Sequence, residues 1–121
     1  MLTSEQVALR AASALDAKKG IGIKLLKISD ISTLADYFLI CTGSSNTHVN
    51  TLCDEVEHEL VDIQGEALLH REGHRGGTWV LLDFGCVVVH VFTDETRKFY
   101  DLERLWNDAQ PVALDSINEE R

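Results

Sequence analysis

Residues Tyr37 to Thr42 (YFLICT) run without polar alternation, lead into Gly43-Ser44-Ser45, and are followed by a long amphipathic pattern. A strand with no polar face has to be covered on both sides, so it belongs in the middle of a sheet. The glycine-serine turn must then carry the chain directly from that strand into a helix. The 121 residues suffice for one domain. A chain of this length hides roughly two-thirds of its unfolded surface and folds without disulfide or metal staples.

The flanking patterns fill in the rest. Thr3 and Gln6 have capping-box spacing, with Leu2 and Val7 placed as a hydrophobic staple, so a helix is expected over residues 3–19. Gly20 is expected to take the left-handed position that ends it. Ile21 to Ile28 reads as a strand near an edge, its Lys24 and Lys27 discouraging stray pairing. The helix after Ser45 runs to about Gln64, with Val49, Leu52, Val56, Leu60 and Ile63 as its inner stripe and Gly65 as its stop. Short strands follow at Ala67–Arg71 and, after a glycine-rich turn from Gly73 to Gly77, at Thr78–Asp83 and Cys86–Phe92, the last two joined by a hairpin at Phe84-Gly85. A helix begins at Thr93 or Asp94, and Asp101–Asp108 adds a further turn or two. Pro111 is expected to stop it, leaving 111–121 as a flexible tail on a domain of residues 1–110. The fold class is α/β, with an α+β-like mixed sheet of about five strands, one parallel crossover and flanking helices.

Eleven basic residues stand against twenty acidic ones, a net charge of −9, and both the middle and the last third of the chain carry −5. This balance argues against nucleic acid as the main contact and against an anionic membrane surface. It favours a basic protein partner. Cys41, Cys53 and Cys86 form no CxxC pair, which reads as free thiols in a reducing compartment. No hydrophobic signal segment is visible, so a cytoplasmic protein is expected.

A glycine-serine turn at a helix N-terminus can cradle phosphate, as in nucleotidyltransferases. That chemistry also needs paired carboxylates for magnesium, and the strand after the helix reads Ala67-Leu68-Leu69-His70-Arg71. Asp83 stands alone, and Thr47-His48 occupies the place of a P-loop Lys-Ser. The serines therefore read as a helix cap. His70 and His74 straddle a strand end and lack an evident third ligand, so neither metal nor cofactor is expected. His90 lies mid-strand, sharing a face with Val88 and Phe92, and reads as a hydrogen-bonded structural histidine. Core packing is the plain reading of Phe92, Phe99 and Leu105. Two tryptophans among acidic residues, with no catalytic set, read as an interface, since Trp and Tyr are enriched at binding hot spots.

The segments Asp36–Ser45 with His48, Trp79–Phe92, and Arg97, Phe99-Tyr100, Leu102-Glu103 and Leu105-Trp106 resemble the ribosomal silencing factor (RsfS, or Iojap) family over residues 4–109. The resemblance implies a nucleotidyltransferase-like fold without the active site, and hence no enzyme. It implies docking on the large ribosomal subunit through its basic protein fourteen, sterically blocking the small subunit and damping translation when nutrients are short. The expected contact residues are Trp79, Leu81, Asp83, His90, Phe92, Tyr100, Glu103 and Trp106, with Glu95 and Asp101 as further acidic partners. Cys86 departs from the family pattern, which often has Asp after this glycine. Two other readings stay open on the residues alone: a nucleotide-handling enzyme using the Gly43-Ser44 turn, and a homodimeric regulatory module.

Overall fold

The computed structural model describes residues 2–105 and 109–114, the side chains of 74, 75 and 105 aside. Among these residues six strands form one mixed sheet in the order β3-β4-β5-β2-β1-β6. The elements run α1 (Ser4–Ala17), β1 (Ile21–Lys27), β2 (Tyr37–Gly43), α2 (Asn46–Glu57), a wider π-type turn (His58–Ile63), β3 (His70–His74), β4 (Trp79–Asp83), β5 (Val87–Thr93), α3 (Asp94–Tyr100), α4 (Leu102–Leu105) and β6 (Gln110–Val112).

β2 is buried along its whole length and lies between β5, parallel to it from Tyr37↔Val87 to Gly43↔Thr93, and β1, antiparallel to it. The parallel return to β2 is made by β5, the last of three strands. After α2 the chain travels to the far edge as β3, and the meander β3-β4-β5 brings it back. On one face Leu25, Leu39, Cys41, Val80, Leu82, Val87, Val89 and Val91 pack under α1 and α2. On the other, Leu26, Phe38, Ile40 and Phe92 form a second cluster with Ile28, Ala35 and Ala109. Leu39 is fully buried, and its truncation to Ala costs about 3 kcal/mol of cavity and transfer energy.

Thr3 and Gln6 form the expected capping box, Thr3 Oγ1 accepting from the Gln6 amide at 3.2 Å and Gln6 Oε1 from the Thr3 amide at 2.9 Å. At the other end the left-handed residue is Lys19 (φ 64°), with Gly20 one position later. The Gly20 amide reaches back to Leu15 O at 2.8 Å and the Lys19 amide to Asp16 O at 3.0 Å, a Schellman closure. Gly20 is needed for space, because a Cβ there would sit 2.6 Å from Cys41 Sγ.

Four expectations change. Ile63 is 57% exposed, because the π-type turn accommodates an extra residue and slips the inner stripe after Leu60. The third strand starts at His70, three residues late: Leu68 packs on the helix-side core before pairing begins, and an edge strand needs no apolar alternation. Gly73 accordingly belongs to β3 and not to a turn. Pro111 and Val112, expected in a tail, belong to the sheet as β6, opposite Leu26 and Leu25. An edge strand tolerates Pro because its missing N–H can face outward.

Burial pushes the thiols of Cys41 and Cys53 up to about 12, so neither forms thiolate near neutrality. Under native conditions iodoacetamide is expected to label at most the partly exposed Cys86, whereas all three react in denaturant. Mass spectrometry that finds native labelling at Cys41 or Cys53 would refute this packing.

Candidate binding face

The strand registers set out the face opposite α1 and α2. Trp79 lies across from Phe92, Leu81 from His90, and Asp83 from Val88, while Val88 and His90 in turn neighbour Phe38 and Ile40 of β2. The Trp79 ring centre lies 4.9 Å from Tyr100, 5.8 Å from Phe92 and 5.9 Å from His90. His90 also sits 5.1 Å from Phe38. Trp79 Nε1–H donates to His90 Nδ1 at 3.2 Å, so the neutral imidazole carries its proton on Nε2. The expected structural histidine is therefore present, and its bond fixes the indole's orientation.

The contact residues expected from the sequence separate into layers. Phe92 and His90 are buried and support the face from beneath. Trp79, Leu81, Asp83 and Tyr100 are half-buried and lie at its surface. The Asp83 carboxylate accepts from the Gly85 amide at 2.8 Å, stabilising its own hairpin turn (Gly85 φ 85°). Phe99, expected in the core, is 77% exposed: α3 buries Thr96 and ends at the left-handed Asp101 (φ 46°), which leaves Phe99 on its outer side. Glu95 and Asp101 are exposed on the same element and its cap. Trp106 and the Leu105 side chain lie outside the described residues.

Glu103 turns inward to a polar node that local sequence patterns do not announce. Arg97 Nε donates to Glu103 Oε1 at 2.8 Å, and Arg97 Nη1 donates to Gly22 O at 2.8 Å and Thr42 Oγ1 at 2.9 Å. Lys24 Nζ closes on the second Glu103 oxygen at 3.0 Å. Apart from the Arg97–Glu103 bond, each bond of the node joins residues 55 to 79 apart in sequence. Gly22 is constrained twice, by φ 58° and because a Cβ would stand 2.8 Å from Arg97 Nη1. The Arg97 bond, with help from Lys24 and against partial burial, holds the Glu103 carboxyl below its ordinary range. The node fastens α3 and α4 to β1 and β2, and so fixes where Tyr100 meets Trp79.

The Gly43 turn is occupied by its own side chains. Ser45 is the helix cap, its Oγ accepting from the His48 amide at 3.1 Å. The Ser44 amide donates to His48 Nδ1 at 2.8 Å, and His48 Nε2 reaches Lys18 O at 2.8 Å, joining the start of α2 to the end of α1. Gly43 is required because a Cβ would lie 2.8 Å from Val49 Cγ2. Among the described residues no group of three His, Cys, Asp or Glu side chains is placed to hold a metal ion, and the His74 side chain lies outside them. No helix among them is long and apolar enough to cross a membrane.

The mixed sheet, with α1 and α2 over one face and a half-open aromatic cluster on the other, defines a small α/β protein. Residues 1–121 match the family described as "RsfS: Ribosomal silencing factor during starvation". The Bacillus subtilis "Ribosomal silencing factor RsfS" is 43% identical over 105 residues, covering 87% of this chain and 88% of that one. A crystal structure of a Chromobacterium violaceum protein superposes with a TM-score of 0.84 at 34% identity, covering 94% of this chain and 93% of the other. More distantly, the mouse "Mitochondrial assembly of ribosomal large subunit protein 1" is 29% identical over 100 residues, 78% of this chain and 42% of that one. The chain belongs to the ribosomal silencing factor family, whose members are ribosome-associated regulators.

Replacing Arg97, whose side chain is 16% exposed, by Met leaves Glu103 with Lys24 alone and removes the donor to Gly22 O and Thr42 Oγ1, which is expected to cost about 2 kcal/mol in urea denaturation. The Glu103 pKa is lower folded than unfolded, so its stabilisation is complete above about pH 4.3 and fades as pH falls through the lowered folded value. Glu103→Gln is expected to lose less stability than the parent between pH 5 and pH 3. Equal acid sensitivity would show the ion pair to be without weight.

Proposed function

We propose that this protein silences translation by docking on the large ribosomal subunit, chiefly on its basic protein fourteen, where it sterically prevents the small subunit from joining. The observation that carries the reading is the half-open aromatic face built on Trp79 and Tyr100, with Asp83, Glu95 and Asp101 near it. Trp79 and Leu81 supply the desolvated anchor, while buried His90 and Phe92 hold Trp79 in place. Glu95, Asp101 and the outward part of Asp83 meet Lys and Arg on the partner. Glu103 contributes by holding α3 and α4, since its own charge is already matched by Arg97 and Lys24.

Several observations support docking as the mode of action. The net charge of −9 suits a basic protein and disfavours surrounding phosphates. The family description names ribosomal silencing, and the mouse relative's name places that protein in large-subunit assembly. The Ser44 amide that a phosphate would need is engaged by His48, which favours occupancy over nucleotide chemistry. Complementary charge speeds association and fixes orientation more than it adds affinity, while the aromatic anchor sets the lifetime. The bacterial cytoplasm is the expected site of action.

In co-sedimentation, the protein is expected to travel with large subunits and not with small ones, and to inhibit subunit joining in a light-scattering assay. Trp79→Ala, with a native circular dichroism spectrum, is expected to weaken large-subunit binding by at least ~2 kcal/mol. Wild-type-like binding by that variant would remove Trp79 as the anchor. Binding is also expected to fall as salt rises from 50 to about 500 mM, because the rim charges are exposed. A flat salt response would discard the electrostatic part. Sedimentation of the protein alone reads out self-association.

A further inference from the structure

The outer side of α3 carries an exposed aromatic ring that the core does not use. Phe99 is 77% exposed, so at least one ring face is open to solvent. Its edge-on neighbour is Tyr100, with ring centres 5.0 Å apart at 78°, and Tyr100 in turn lies 4.9 Å from Trp79. Glu95 stands four residues before Phe99, which puts its carboxylate on the same side of the helix. Asp94, next to it, is paired with Lys98 at 2.9 Å, whereas Glu95 takes part in no ion pair among the described residues. A surface cavity is lined by Glu95, Thr96, Phe99 and Tyr100.

We infer that this cavity is a socket for one basic side chain of the partner, best filled by an arginine. The guanidinium would stack on the open face of Phe99 and donate to the Glu95 carboxylate. A planar cation suits this pairing better than an ammonium, because it offers a flat face to the ring and a two-pronged edge to the carboxylate. The chain's net charge of −9 makes a cation the complementary occupant of an exposed ring beside an uncommitted carboxylate. The socket continues the Trp79–Tyr100 cluster outward, so it deepens the docking reading and rests on it for the partner's identity.

The test combines two probes. Large-subunit binding is measured for Phe99→Leu, which keeps apolar volume but loses the π face, for Phe99→Trp, which keeps the face, and for Glu95→Gln. Exposed positions leave the fold intact, and thermal melts of each variant check that. Phe99→Leu is expected to weaken binding about 10-fold, Glu95→Gln by about 3-fold, and Phe99→Trp not at all. In parallel, an arginine-rich peptide is titrated into the labelled protein and followed by NMR. Shifts should centre on Glu95, Phe99 and Tyr100, with weaker binding for a lysine peptide of equal charge. If Phe99→Leu binds subunits like the parent, or Phe99→Trp fails as badly as Phe99→Leu, the socket is overturned. Peptide binding at Phe99 by a protein that does not capture subunits would retain the socket and overturn the ribosomal reading. Peptide shifts spread over the acidic surface, away from Phe99, would overturn the socket alone.

Discussion

The parallel pairing of β2 with β5 is the constraint on which the rest depends. Seven consecutive residues of β2 are buried, and every backbone donor and acceptor among them needs a strand on each side. β5 satisfies one side and β1 the other. Because β5 runs parallel to β2, the chain has to cross over between them, and α2 with the β3-β4 excursion is that crossover. The same excursion sets Trp79 of β4 opposite Phe92 of β5. The aromatic face is thus a consequence of how the central pair is closed.

Two polar devices keep the closure rigid without adding apolar mass. His48 clasps the end of α1 to the start of α2, which fixes the helical layer over one face. Arg97 and Glu103 do the equivalent on the other side, tying α3 and α4 to the ends of β1 and β2. Tyr100 and Phe99 then project from an element that has little freedom to move. A pre-positioned aromatic surface loses less side-chain entropy when a partner arrives.

The acidity divides in the same way. Part of it is matched within the chain: Arg71 bonds Asp54 at 2.9 Å and Glu57 at 3.0 Å, fastening edge strand β3 to α2, and Arg97 and Lys24 hold Glu103. What remains outward near the aromatic face is Glu95, Asp101 and part of Asp83. A net charge of −9 is therefore no measure of the binding surface by itself. It describes the long-range field, while in the proposed docking a few uncommitted carboxylates would set the orientation.

The sequence by itself determined the central strand, the capping box at Thr3, the serine cap at Ser45 and the face shared by Trp79, Leu81, His90 and Phe92. These are local patterns: an apolar run, a three-residue spacing, a period of two. It also carried the family, because Trp79–Phe92 and Asp36–Ser45 are contiguous motifs. Only the tertiary structure decided that β5 returns beside β2, that Pro111 enters an edge strand, that Ile63 and Phe99 face outward, and that Glu103 turns in to Arg97. Each of these depends on a partner far along the chain or on a turn geometry without a composition signal. The sequence could say which residues share a face, since backbone geometry fixes that within a strand. It could not say which carboxylates were already paired, because that depends on where the crossover sets its ends.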